Sequence, residues 1–305
     1  MVTDVGGLGD KSFNDSAHAG LMRAEKELGA QTQVLQSRSA ADYQPNLTAL
    51  TNQHPDMIYA IGYLMNRDLD QIAKDNLKQH YSIIDAVVDS PNVVSVTFKE
   101  EDGSFLAGAL AAMMSKSHHV AFLGGMDIPL LRKFEAGYSA GARQADPNVK
   151  VDVKYVNSFE DVAAGQEIAN LLYNGGADVI FAAAGKAGLG AMNAVKSRSG
   201  DYVIGVDSDQ DDIVPGKVLT SMIKHVDVAV FDVARAIKEK KPLHGHLELG
   251  LADQGISLSD FRNTRDKIGP DRIARLDAIQ TAIVKGRINV PSTREELAIW
   301  KPAKL

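Results

Sequence analysis

The stretch DMIYAIG, residues 56–62, returns as DVIFAAAG at residues 178–185. Each is an acid or loop residue, then a short apolar run, then glycine: a buried parallel strand with a turn at its carboxyl end. Two further echoes keep an offset of about 120 residues, a period that marks repeated architecture: YSIID at 81–85 with YVIGVD at 202–207, and VTDVGG at 2–7 with VAFLGG at 120–125. Between these runs lie amphipathic stretches of helical length, so the pattern is that of parallel sheets covered by helices. Strands are expected at residues 2–5, 32–35, 57–61, 81–84 and 93–98, and again at 120–123, 151–156, 179–183, 202–206 and 218–223. The expected fold class is α/β, two Rossmann-like lobes. Residues 226–241 form a helix with one apolar face. A glycine-interrupted strand pair follows in LHGHLELGLADQGISLSD, then a long helix ending at Gly286 before a short strand. A chain that builds two lobes and still continues crosses between them again, which makes a hinge. The expected division is 1–117 with 225–250 for the N-terminal lobe, and 118–224 with 251–305 for the C-terminal lobe.

Composition narrows the function. The 305 residues are 45% hydrophobic and 24% charged, with a net charge of −6. Lysines and arginines are dispersed, so no nucleic-acid partner is expected. The chain has no cysteine, which excludes thiolate metal sites and a cysteine nucleophile. Neither a nucleophile-elbow motif nor a paired-histidine zinc motif occurs, and the eight histidines fall mostly in helix ends and loops. No metal, no cofactor and no catalytic residue is expected.

In open parallel sheets ligands bind beyond the carboxyl ends of the strands, so the residues there are the candidates. DVGGLGDKSFNDS, residues 4–16, looks like a phosphate loop, but Asp10 stands where such a loop has glycine before its lysine, and Asp4 sits at the strand end. Two carboxylates beside a phosphate repel it by about a kilocalorie each or more in a partly buried cleft. The glycines shape a turn, with Ser12 or Asn14 expected to cap the helix that follows. Phe13 is a ring in a polar turn and is expected to stack on a ligand, as is Phe159 in YVNSFED. Tyr63, Asp85, Gly185 and Asp207 follow other strands, and Lys224 ends the strand VLTSMIK. Asp85 and Asp207 occupy matching places in the halves, where helix capping is the competing role; for Lys224 it is a plain surface lysine. The acidic loop DSDQDD lacks the glycine and glutamate of a calcium loop. Rings, acids and one lysine together suit a neutral, hydroxyl-bearing heterocycle: a nucleoside and not a nucleotide.

In order along the whole chain, the blocks TDVGGLGDKSFNDSAHAGL (3–21), IGYLM (61–65), GALAAMMSKSHHVAFLGG (108–125), FEAGYSAGAR (134–143), YVNSFED (155–161), IGVDSDQDD (204–212), VLTSMIKHVDVAVFD (218–232) and LGLADQGISLS (249–259) resemble the basic membrane protein family. Its members are substrate-binding lipoproteins of ABC importers, the best understood of which bind purine nucleosides. The resemblance implies a periplasmic-binding-protein type I fold with a three-stranded hinge that closes on its ligand. It implies that Phe13 and Phe159 sandwich the base, that Asp4 reads its edge, and that Gly185, Asp207 and Lys224 hold the ribose. Asn14, Tyr63 and Asp85 carry over by position alone. It further implies delivery of guanosine, adenosine or inosine to an ABC permease by a monomer. The family's lipid-bearing cysteine and the front of strand one are missing from the sequence. The expectation is a trimmed chain whose precursor is lipid-anchored in the periplasm or at the outer face of the cytoplasmic membrane. The alternatives are a receptor for a sugar or another small polar solute, and a nucleoside-processing α/β enzyme with Asp207 as base.

Overall fold

The computed structural model describes residues 1–241 and 244–304. The chain divides into two compact units, Met1–Phe98 with His225–Leu249, and Lys99–Lys224 with Gly250–Leu305, and so passes from one to the other three times.

The first unit is built on strands β1 (Val2–Thr3), β2 (Ile58–Ile61), β3 (Tyr81–Ile84), β4 (Val93–Phe98) and β10 (Gly245–Leu249), in the order β1-β2-β3-β4-β10 and all parallel. The strand expected at residues 32–35 is reduced to one parallel bridge, Leu35 with Val2. Its backbone is nonetheless held, since the Thr3 N–H donates to the Leu35 carbonyl and the Leu35 N–H to that of Met1. Counting that bridge, the first five positions run 2-1-3-4-5 in chain order. Strand residues alternate between faces. Ile58, Ala60, Tyr81 and Ile83 join Tyr43, Leu47 and Leu50 of α2 (Tyr43–Thr51) and Leu69, Ile72 and Ala73 of α3 (Asn66–Asp75) in one core. Tyr59, with the opposite parity, donates its hydroxyl to the Val230 carbonyl of α8 (Val226–Lys238) at 3.2 Å. Helix α1 (Phe13–Leu28) lies so close to α8 that a Cβ on Gly20 would stand 2.3 Å from the Asp227 carbonyl oxygen.

The second unit repeats the plan. Strands β5 (His119–Gly124), β6 (Lys150–Tyr155), β7 (Val179–Ala183), β8 (Tyr202–Asp207), β9 (Val218–Lys224) and β11 (Ile256–Leu258) lie in the order β6-β5-β7-β8-β9-β11, again 2-1-3-4-5, with only β11 antiparallel. One face of its sheet packs Ala121, Leu123, Ile180 and Ala182 against α6 (Val162–Asn174) and α7 (Leu189–Val195). The other carries the rings of Phe122 and Phe181, 5.8 Å apart, with Tyr138 of α5 (Pro129–Ala145) 5.5 Å from Phe181.

Three expectations need correction. Residues 99–117 belong to the second unit, because α4 (Glu100–Met114) meets α5 backbone to backbone. A Cβ on Gly108 would lie 2.0 Å from the Tyr138 oxygen, and one on Gly141 1.9 Å from the Phe105 oxygen. Glycine in a helix costs about 1 kcal/mol relative to alanine, and here it permits that approach. The strand pair expected after α8 is two strands in different units, β10 and β11; Leu243, at its start, lies outside the described residues. The short strand expected after Gly286 is not formed: Ile288 is buried in irregular chain after α10 (Pro270–Val284).

Candidate functional site

In a 2-1-3-4-5 sheet the connections turn opposite ways at the first and third positions, and the crevice beyond those strand ends is the ligand position. The first unit places Asp4 after β1, Gly62 and Tyr63 after β2, and Asp85 after β3.

Asp4 is buried and braced. Its Oδ1 accepts from Asn14 Nδ2 at 2.7 Å and from the Gly6 N–H at 2.9 Å. The other hydrogen of the Asn14 amide goes to Asp10 Oδ2 at 3.0 Å, and its Oδ1 faces the Asp4 N–H at 3.3 Å. Asn14 thus holds two carboxylates in register. Gly62, at φ 127°, allows β2 to end against Asp4, whose Cβ would be 3.1 Å from a side chain there.

Asp10, not Ser12 or Asn14, caps α1. Its carboxylate accepts from the N–H groups of Ser12 (2.9 Å), Asn14 (2.8 Å) and Asp15 (3.1 Å), and the Ser12 side chain makes no capping bond. Asp15 in turn takes the N–H groups of Gly9 and Lys11 at 2.7 and 2.9 Å. The amides that would cradle a phosphate in such a loop are occupied by this chain's own acids. Burial raises the Asp10 pKa, and the bonds from the Asn14, Ser12 and Asp15 amides pull against that rise. Phe13 is buried as the first residue of α1, and Tyr63 packs against the first unit's core.

The second unit brings Phe159, Gly185, Asp207 and Lys224 to the corresponding edge. The Phe159 ring covers Gly125, immediately after β5: a Cβ on Gly125 would stand 2.4 Å from Cδ1 and 2.5 Å from Cε1. The Phe159 carbonyl accepts from the Ala187 N–H at 3.0 Å, which ties it to the turn opened by Gly185 at φ 54°. Gly125 was missed in the sequence reading, although the VTDVGG/VAFLGG echo contains it.

Asp85 and Asp207 end the fourth strand of each sheet, and both adopt the left-handed conformation, at φ 73° and 64°. Such backbone is uncommon outside glycine, and non-glycine examples gather at functional sites. Lys224 is 2% exposed, with its Nζ 3.8 Å from Asp207 Oδ1 and 3.9 Å from Glu100 Oε1. It is therefore no surface lysine. Two residues outside the sequence reading complete this group: Glu100, fully buried at the start of α4, and Lys133 of α5, 2.9 Å from Glu100 Oε2. The rest of the acidic loop is built into the fold. Arg262 pairs with Asp209 at 2.7 Å, and Ser259 Oγ donates to the buried Asp211 at 3.2 Å. His119, at the opposite end of β5, meets Asp152 at 2.8 Å. Among the described residues no helix is long and apolar enough to cross a membrane.

Residues 1–294 match the family model described as "ABC transporter substrate-binding protein PnrA-like", Bmp. The chain belongs to the Bmp family. This is the family indicated by the eight sequence blocks, and its members are substrate-binding proteins of ABC transporters. The Bmp chain is 39% identical to a "CD4+ T-cell-stimulating antigen" of Listeria monocytogenes, over 95% of this chain and 87% of that protein. It is 35% identical to "ABC transporter nucleoside-binding protein BmpA" of Lactococcus lactis, over 96% and 88%. A solved ABC transporter solute-binding protein from Aeropyrum pernix K1 superposes with a TM-score of 0.91 at 27% identity, covering 97% of this chain and 94% of that one. The fold is the type I periplasmic-binding-protein fold, as expected. Within it, the matched sheet orders and left-handed aspartates give this Bmp protein a donor and acceptor set at the carboxyl edge of each sheet.

Proposed function

We propose that this protein binds a purine nucleoside, guanosine, adenosine or inosine, with residues from both units, and delivers it to the permease of an ABC importer. The observation that carries the reading is the first turn of α1. There the N–H groups of Ser12, Asn14 and Asp15 are taken by Asp10, and those of Gly9 and Lys11 in the loop just before are taken by Asp15, so an uncharged ligand is favoured over a phosphorylated one. In this reading Phe13 and Phe159 stack the two faces of the base, and Asp4, braced by Asn14, accepts from its edge. Asp85 and Tyr63 line the first unit's side. Lys224 and Asp207 form a donor and an acceptor 3.8 Å apart, matching a sugar hydroxyl that accepts from one and donates to the other, with Gly185 beside them. The name of the Lactococcus lactis relative supports the choice of nucleoside. In this reading the protein works in the periplasm or at the outer face of the cytoplasmic membrane, lipid-anchored.

Mass spectrometry of the small molecule released when the purified protein is denatured tests the reading. A purine nucleoside released unchanged supports it. A sugar or another solute would overturn the nucleoside, and recovery of free base and ribose would turn the assignment towards an enzyme.

A further inference from the structure

The second unit holds a buried acid that the ligand reading does not use. Glu135, on α5, is 6% exposed. Arg294, at the start of α11 (Arg294–Ile299), grips it with two prongs: Nε lies 2.9 Å from Oε1 and Nη2 2.6 Å from Oε2. The Tyr155 hydroxyl donates to the same Oε2 at 2.5 Å. Arg294 Nη2 also meets Asp127 Oδ1 at 3.2 Å, and Arg132 Nε donates to that oxygen at 2.7 Å. Arg294 thus reaches two strand ends at once, since Asp127 lies in the loop leaving β5 and Tyr155 closes β6. The C-terminal segment sets its place. The Trp300 ring meets Phe105 edge-on with centroids 5.6 Å apart, and Ala303 exchanges two 2.8 Å bonds with Gln144. Stability alone does not account for this group, because a buried ion pair is often no better than apolar packing of the same volume.

What these strand ends carry is Phe159. The edge strand β6 pairs with β5 alone, so the sheet holds its end from one side only. Past Tyr155 the chain is tied to the exit of β5: the Val156 N–H donates to the Gly124 carbonyl at 2.9 Å, and the Ser158 N–H to that of Gly125 at 3.1 Å. The Tyr155 ring covers Gly124, where a Cβ would stand 2.5 Å from its Cε1, as the Phe159 ring covers Gly125. We propose that Arg294 is a positioning residue for ligand recognition: by clamping Glu135 and Asp127 it fixes the ends of β5 and β6 against each other, and so the place of the Phe159 ring. This rests on the reading above, in which Phe159 stacks on the base. The parts suit the task. An arginine fork meets a carboxylate in a defined geometry, where a lysine would offer a point charge. Burial and the Glu135 carboxylate raise the Tyr155 pKa, so the phenol stays a donor at neutral pH. Without the guanidinium, Glu135 is a buried charge short of its main partner, its hold on Tyr155 slackens, and the strand end that leads to Phe159 loosens with it.

The test is a double-mutant cycle between residues 294 and 159, read by calorimetry of the full chain with inosine. Arg294→Gln is expected to weaken inosine about fivefold, a part of what a stacked ring contributes. In a Phe159→Ala background the same substitution changes the affinity by less than about twofold. A merely structural role would not make the loss depend on the ring. An equal loss in both backgrounds, or wild-type affinity in Arg294→Gln, therefore overturns the proposal and leaves the nucleoside reading standing. A wild type that does not bind inosine, or binds it no better than Phe159→Ala does, overturns the reading on which the proposal rests and the proposal with it. Should Arg294→Gln fail to fold, Tyr155→Phe decides. It deletes only the bond to Glu135, and its expected loss of about threefold again vanishes when residue 159 is alanine. Wild-type affinity in Tyr155→Phe, or an equal loss in both backgrounds, overturns the proposal.

Discussion

Replacing Gly125 by alanine separates the position of the Phe159 ring from its presence. The added methyl carbon would lie 2.4 Å from Cδ1 and 2.5 Å from Cε1 of the ring. Carbon atoms pack at about 3.5–4.0 Å, so the ring has to retreat by roughly 1–1.5 Å. The backbone at Gly125 is one that alanine adopts, and Phe159 is a half-buried residue in the loop between β6 and α6. The ring therefore yields before the sheet does. Overpacking costs about 1–3 kcal/mol, and a ring free to swing puts this variant near 1 kcal/mol. A base stacked on an aromatic ring gains about 1–3 kcal/mol, so displacing the ring weakens nucleoside binding about tenfold, the equivalent of 1.4 kcal/mol. Calorimetry with guanosine, inosine and adenosine reads the loss, which falls on all three alike because stacking is indifferent to the base edge. The double variant decides the mechanism. In a Phe159→Ala background, Gly125→Ala is expected to add nothing further. A second tenfold loss there, or wild-type affinity in Gly125→Ala alone, refutes the reasoning.

We predict that Asp10→Ala destabilises the first unit by about 2–3 kcal/mol, since it removes a cap worth about 1 kcal/mol and strands buried amides; a denaturant midpoint equal to wild type would count against this. Gly141→Ala drives a Cβ into the Phe105 carbonyl and is expected to cost about 3 kcal/mol or more, read as a lower melting temperature; an unchanged one would show that α4 and α5 can part freely. Glu101 is pushed up to about 7 by burial, against the pull of Lys133. Its folded pKa exceeds the unfolded one, so the protonated group favours the folded state, and that contribution is lost as pH rises from about 4.5 to 7. Relative to wild type, Glu101→Gln should gain about 1–3 kcal/mol between pH 5 and pH 8; parallel stability curves for the two proteins would contradict it.

The repeat was legible because parallel strands buried on both faces write continuous apolar runs, and YSIID and YVIGVD even carried the matched aspartates that prove left-handed in both sheets. Other features depend on partners that the sequence does not mark. Thr32–Leu35 carries a strand-like pattern, yet only Leu35 pairs, at the sheet's outer edge. Helix α4 is apolar nearly all round, which says that it is buried but not in which unit; its glycines fit those of α5, and that fit is a fact of packing. Ser12 is a good cap by type, and Asp10 won because its carboxylate reaches three amides at once. Lys224 was found by its strand-end position, whereas Glu100 and Lys133 sit inside helices, where acids and lysines are commonplace, and only burial distinguishes them.

The most direct test of the central claim is a calorimetric titration of the ligand-stripped protein with inosine and, side by side, with inosine 5′-monophosphate. With the amides of the loop and of the start of α1 held by Asp15 and Asp10, the proposed nucleoside site is expected to bind inosine at micromolar or tighter affinity and the monophosphate roughly 100-fold more weakly. Equal or tighter binding of the monophosphate, or no binding of either, would contradict the account.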